Sequence, residues 1–358
     1  MTVNKKAVTK LLSLAFKVSL LVAIVYYLMQ SGRLDFSKFI VLLEHPFLLA
    51  SILFCLMVPL DMVGAWRWYL LLRALGVEIR YWRLYQITWI ALLYSTILPG
   101  SISADLVRAY FVHKSSQSKL LTPIVTSMVI DRMSGLFGVI LFAYVGSLVL
   151  EGVQSTQVQS LVVFSQLMLI GMLAFWGLML LPSKPEGGLV TQTLGKLPFS
   201  GLTLKVYGSF RAYRHHKGVI FYSILIALLG QLTLCYLFWA VLAALNNAPA
   251  APSIFVFVVP LGSLATTLPF TPGGLGVGHA AYEYLFMLNQ VPNGANAFNI
   301  YALVRIALSL FGVIAYLKYK QDVGSGYDQD EAKHIFFDTE DLATKGAGES
   351  TSPTSNRP

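Results

Sequence analysis

Thr96-Ile-Leu-Pro-Gly-Ser-Ile-Ser-Ala-Asp-Leu-Val-Arg-Ala-Tyr110 and Thr267-Leu-Pro-Phe-Thr-Pro-Gly-Gly-Leu-Gly-Val-Gly-His-Ala-Ala-Tyr282 each interrupt an apolar run at a Leu-Pro followed by small residues. A helix breaker at bilayer depth frees backbone N–H and C=O groups that lipid cannot satisfy. Such a break survives only where protein packs around it or where it lines a polar cavity. These two stretches read as paired broken helices, and each is a candidate site.

The rest of the chain agrees with a setting in lipid. Of 358 residues, 56% are hydrophobic and only 12% charged, against roughly a quarter charged in soluble domains. Apolar stretches fall near 11–29, 47–66, 84–98, 121–150, 161–181, 218–245, 253–270 and 299–317, several of them near the ~20 residues a spanning helix needs. The first follows Lys5, Lys6 and Lys10 but is long and has no small-residue cleavage site, so it reads as an uncleaved helix. Cys55 and Cys235 lie inside apolar stretches and read as small buried residues rather than a disulfide or metal pair. Residues 321–358 hold eight of the seventeen acids and three of the 26 basic residues, and read as a solvated, disordered tail. That leaves 23 Lys and Arg against 9 acids in residues 1–320, the expected membrane domain.

Basic residues decide the topology, because Lys and Arg collect on the cytoplasmic side. If all eight stretches crossed, Arg108, Lys114 and Lys119 would lie opposite Lys5, Arg73, Arg80 and Arg83. If the chain enters at 84–98, turns at Pro99-Gly100 and returns along 104–112, every basic cluster shares one face. The same device at 253–288 leaves the loop at 290–298, which has no Lys or Arg, on the other face. The expectation is an all-α, polytopic transmembrane bundle with six full spans and two re-entrant hairpins entering from opposite faces. Both termini are then cytoplasmic.

Leu136-Phe-Gly-Val-Ile140 recurs as Leu310-Phe-Gly-Val-Ile314, and Leu98-Pro99 and Ala109-Tyr110 recur in order as Leu268-Pro269 and Ala281-Tyr282. The offsets drift only between 170 and 174 residues. This suggests an inverted repeat of units at about 47–150 and 218–317, a known way to build a transporter around a site at the repeat interface.

A re-entrant turn brings helix starts toward mid-bilayer, where free N–H groups and the positive end of the helix dipole favour an anion such as a lipid phosphate. Gly100-Ser101 and Pro272-Gly273-Gly274 occupy the expected starts. Ser101, Ser103 and Thr271 could equally be caps, and Gly274 and Gly278 could serve close packing. Both readings stay open, since a capped open turn is also what an anion would replace. Asp105 and Arg108, three apart, can neutralise one another or serve a ligand within the break. Asp131 and Arg132 project about 100° apart on an apolar helix, so each wants another partner. The expectation is a cavity where Arg108, Arg132 and Arg305 accept a headgroup phosphate while Asp105 and Asp131 hold the arginines. The planar fork of Arg suits phosphate oxygens. His279 and Glu283, four apart, are either a satisfied pair or a proton-linked step.

Trp66, Arg67 and Trp68 read as interfacial anchors, and the basic 184–217 connection as a surface touching anionic headgroups rather than nucleic acid. Six His without paired ligand spacing speak against a metal, and no Gly-x-x-x-x-Gly-Lys-Ser/Thr nucleotide-binding loop is present. No catalytic residue and no cofactor are expected.

Arg67-Trp-Tyr-Leu-Leu-Leu-Arg-Ala-Leu-Gly76, Leu98-Pro-Gly-Ser-Ile-Ser-Ala-Asp-Leu-Val-Arg108, Asp131-Arg-Met-Ser-Gly-Leu136 and Thr271-Pro-Gly-Gly-Leu-Gly-Val277 together resemble the lysylphosphatidylglycerol synthase transmembrane family, over about residues 10–320. That family includes the lipid-translocating half of multiple peptide resistance factors. Ala104 stands where the family often has Gly, and His279 where it often has Glu. The resemblance implies a flippase-like module of the bacterial inner membrane, and argues against the synthase of the family's title. The expected activity is binding and translocation of an anionic phospholipid or lipid-linked headgroup, with membrane lipids as partners and envelope-biosynthesis enzymes as protein partners to seek. The rival readings are an intramembrane lipid-phosphate transferase with Asp105 or Asp131 as base, and a lipid-presenting partner of an envelope enzyme complex.

Overall fold

A computed structural model describes residues 40–97, 101–116, 121–150, 155–180, 213–267 and 274–323, and among these every regular element is helical. After a short α1 (Ile40–Glu44) come α2 (Pro46–Ala74), α3 (Tyr81–Ile97), α4 (Ser101–Ser115), α5 (Leu121–Val149) and α6 (Thr156–Leu180). A 3-10 turn at Tyr213–His216 leads into α7 (Lys217–Asn246), followed by α8 (Pro252–Thr266), α9 (Val277–Met287), α10 (Gly294–Ser309) and α11 (Phe311–Val323). Five stretches are long and apolar enough to cross a membrane: Pro46–Ala74, Leu121–Val149, Thr156–Gly177, Tyr213–Asn246 and Gly294–Asp322. They coincide with five of the six expected spans. The sixth, 11–29, and the two turns, at 98–100 and 268–273, lie outside the described residues.

The helices overrun the apolar stretches that revealed them. α2 continues from the expected 47–66 through Arg67 to Ala74, because a helix needs no apolar residue once its charged side chains find partners. The last span bends at Leu310 and continues to Val323, three residues into what reads as a solvated tail. Asp322 is anchored there by Arg83 at 3.0 Å.

Two buried clusters divide α2 by its length. Ile52, Cys55 and Leu56 from its first half join α8, α9, α10 and the carboxyl half of α7 around Phe238, Phe257, Phe286 and Phe298. Trp68, Leu71 and Leu72 from its second half join α3, α4 and the amino halves of α5 and α7 around Ile87, Phe111 and Ile130. A 29-residue helix is about 43 Å long at ~1.5 Å per residue. The helices flanking the two broken motifs fall mainly in different clusters, and α2 joins the two clusters by its two halves. Within each motif the flanking helices also pack on one another, α3 on α4 and α8 on α9.

Glycine allows the closest crossing between elements. A Cβ on Gly146 of α5 would overlap the backbone at Val256 and Phe257 of α8. Outward, Val145, Leu148, Val163, Leu167, Ile170, Leu225, Leu232 and Ile314 are exposed. An apolar belt of this extent is what lipid, rather than water, would cover.

Candidate functional site

Charge inside this bundle is arranged as helix-to-helix pairs. Residues Leu56–Met62 of α2 form a π-helical segment containing Pro59 and Asp61. Proline supplies no N–H and crowds the preceding turn, and the wider turn absorbs the defect: the N–H of Val63 donates to Val58, five residues back. Asp61 is buried at this bulge, and Arg305 of α10 donates through Nη1 to both its oxygens at 2.8 Å. Six residues further along, Arg67 Nε donates to Asp131 Oδ1 of α5 at 2.6 Å. Arg132 of α5, facing away from Asp131, pairs with Asp105 of α4. The adjacent Asp131 and Arg132 thus staple α5 to α2 and to α4 in two directions.

Asp105 and Asp131 each hold an arginine, as expected, but the geometry decides which one. Asp105 does not pair with Arg108, its neighbour on the same helix. It reaches Arg132, and Arg108 lies over the Trp68 ring, 5.6 Å from its centre. Asp131 holds Arg67, and Arg67 is a half-buried ion-pair partner rather than a snorkelling anchor. The ring of Trp68 is likewise held inside, its Nε1 donating to Ser127 Oγ at 3.1 Å. A nearby helix offers a carboxylate a better-aligned guanidinium than the next turn of its own helix does.

His279 and Glu283 also part company. The Gly276 N–H donates to His279 Nδ1 at 3.1 Å, so Nδ1 carries no proton. Nε2 faces Asn299 Oδ1 of α10, which requires the neutral ring protonated at Nε2. Glu283 accepts from the Ala295 N–H at 2.7 Å in the first turn of α10, where the helix dipole favours an acid. Both residues therefore fasten α9 to α10. The helix after the second break begins at Val277, beyond the expected Pro272-Gly273-Gly274, because His279 caps it at Gly276.

Gly274 has φ +73°, and a Cβ there would approach Thr266 Cβ to 2.8 Å; a Cβ on Gly278 would enter the Phe298 ring. Close packing is the job of both. Ser101 starts α4 as expected, while Gly273, Thr271 and the side chains of Ser101 and Ser103 lie outside the described residues.

Between the two motifs is a cavity of about 180 Å³. Its walls are Ser95 and Thr96 from the end of α3, Leu275 just after the second break, and Tyr301 and Arg305 from α10. Of the three arginines expected around one cavity, Arg305 lines it, whereas Arg108 and Arg132 belong to the α4–α5 side. Among the described residues no cluster of three or more metal-ligating side chains occurs, and Cys55 and Cys235 are buried free thiols.

Asp61 and Asn299 escaped the sequence reading. The signal for Asp61 was available, since an acid within the apolar run 47–66 obeys the same rule that singled out Asp131. The mate of His279 was hidden, because twenty residues separate it from Asn299.

The sequence profile of the lysylphosphatidylglycerol synthase TM region matches residues 13–315. Neither the curated proteins nor the solved structures offer a match.

Proposed function

Because the chain belongs to the lysylphosphatidylglycerol synthase TM-region family, and is an integral membrane protein related to lipid handling, we propose that it binds an anionic phospholipid or lipid-linked headgroup and carries it across the bilayer. The observation that carries this reading is the cavity where both broken motifs meet Arg305. A cation at that place offers a fork of N–H donors to phosphate oxygens. Asp61 holds the guanidinium through Nη1 and lowers the cost of keeping a charge inside the membrane. Ser95 and Thr96 supply hydroxyls beside it.

The topology we propose has six full spans and two re-entrant hairpins, one from each face, with both termini on the cytoplasmic side of a bacterial inner membrane. The separation of the two motifs' flanking helices into clusters joined by opposite halves of α2 supports it, as does the sided distribution of Lys and Arg. Alternating exposure of the central cavity would move the headgroup. The protein adds no covalent chemistry in this scheme.

The test is lipid movement in proteoliposomes, following a fluorescent phosphatidylglycerol from the inner to the outer leaflet. Wild-type protein accelerates the exchange, and Arg305→Gln reduces it to the rate of empty vesicles. Full activity of Arg305→Gln would refute the site.

A further inference from the structure

A second cavity, of about 650 Å³, lies away from the central one and takes no part in the proposed passage. Its lining comes from the end of α2 (Tyr69, Arg73), the α2–α3 connection (Glu78, Arg80), the first turn of α3 (Arg83) and Ser115 at the end of α4. Three guanidiniums face one carboxylate. Arg83 is the organised member: it lies over the Tyr319 ring, 5.0 Å from its centre, and meets Asp322 at the end of α11 at 3.0 Å. Tyr319 is held in turn by a hydrogen bond of 2.9 Å with Ser115. Arg73 leans on Tyr69, its Nη1 donating to the phenol at 3.4 Å. Among the described residues neither Arg73 nor Arg80 has a carboxylate within ion-pair distance.

The position-independent excess of Lys and Arg at one face would explain charges here but not their convergence on a cavity. With Asp322 on Arg83 the lining keeps an excess of one positive charge, and of two once Asp322 lets go. A phosphomonoester, which carries about −1.5 to −2 at neutral pH, matches that range. The cavity also lies at headgroup level. Tyr69 contacts Trp66 and Tyr81, whose ring packs on Trp82, and Trp66 and Trp82 are exposed. Exposed Trp and Tyr gathered at the end of a span mark the membrane–water boundary, where basic pockets between helices take lipid headgroups.

We infer that the cavity of Arg73, Arg80 and Arg83 is a binding site for the terminal phosphate of a membrane lipid, distinct from the central site. The phosphate bridges Arg73 and Arg80 and competes with Asp322 for Arg83, so occupancy loosens the end of α11. This stands whether or not the central cavity moves lipid.

The test is native mass spectrometry of the full chain in micelles with phosphatidic acid and, separately, phosphatidylcholine of the same acyl chains. Phosphatidic acid is retained in preference. The Arg73→Gln/Arg80→Gln variant binds it about tenfold more weakly, the loss expected of charge-assisted contacts. Glu78→Gln binds it about threefold more tightly, a gain that misfolding cannot imitate. In the Arg305→Gln background, which removes the central headgroup contact, phosphatidic acid is still retained, and adding Arg73→Gln/Arg80→Gln still weakens it about tenfold. Equal retention of the two lipids, or undiminished phosphatidic acid on the double variant, would overturn the site. Inorganic phosphate raising the melting temperature as much as phosphatidic acid does would overturn its lipid source.

Discussion

Removing Asp61 should destabilise the protein more than removing both Asp61 and its partner. The carboxylate is buried, with a side chain 8% exposed, and Arg305 is 23% exposed on the wall of the central cavity. Breaking a buried pair from one side costs about 3–5 kcal/mol, because the surviving charge stays uncompensated. Water in the cavity would relieve part of that for Arg305, so Asp61→Asn is expected to cost about 2–3 kcal/mol. Arg305→Gln leaves the better-buried Asp61 without its cation and costs about as much. The double variant Asp61→Asn/Arg305→Gln removes both charges and should cost only about 1 kcal/mol. The cycle then shows a coupling of about 3–5 kcal/mol between contacting residues. The assay is reversible unfolding of the four proteins by sodium dodecyl sulfate from mixed micelles. Losses that add to within about 0.5 kcal/mol would refute the pair. Binding separates the roles: Asp61→Asn keeps the headgroup contact of Arg305, whereas Arg305→Gln loses it.

Arg67→Gln should destabilise more than Arg132→Gln, by about 3 against about 1 kcal/mol, since the Arg67 side chain is 16% exposed and that of Arg132 41%; equal losses in the same unfolding assay would contradict the assignment. His279→Ala removes the bonds to the Gly276 N–H and to Asn299 and leaves a cavity beside Phe298, and should cost about 2–4 kcal/mol, whereas Glu283→Gln, which can still accept from Ala295, should cost less than about 1 kcal/mol. Gly278→Ala drives a methyl into the buried Phe298 ring and is expected to lose about 1–3 kcal/mol, read as a lower melting temperature. Arg132→Ala in proteoliposomes should slow lipid exchange by releasing α4 from α5, and an unchanged rate would remove the staple from the mechanism.

Much of the architecture was legible before any coordinate. Apolar length is a local property, so 47–66, 121–150, 161–181, 218–245 and 299–317 each announced a helix that the structure contains. The helix ends at Ile97 and Thr266, each just before a Leu-Pro pair, were legible for the same reason, since proline acts on its own turn and the one before it. Cost was legible too: Asp105, Asp131, Arg132 and Arg305 stand out because an ionisable group in an apolar run needs compensation.

Compensation itself was decided by tertiary structure. Intrahelical spacing proposed Asp105 with Arg108 and His279 with Glu283, interactions worth only about 0.2–0.5 kcal/mol on a helix surface. In a low-dielectric interior, alignment with a neighbouring helix outweighs that. Asp105 therefore meets Arg132, Asp131 meets Arg67, and His279 meets Asn299. Asp61 reaches Arg305 across 244 residues, from a π-turn at Pro59. The sequence by itself determined that these groups must be paired, because burial is costly wherever it occurs. Which helix supplies each partner depended on adjacency across the bundle, a property that no period of 3.6 residues encodes.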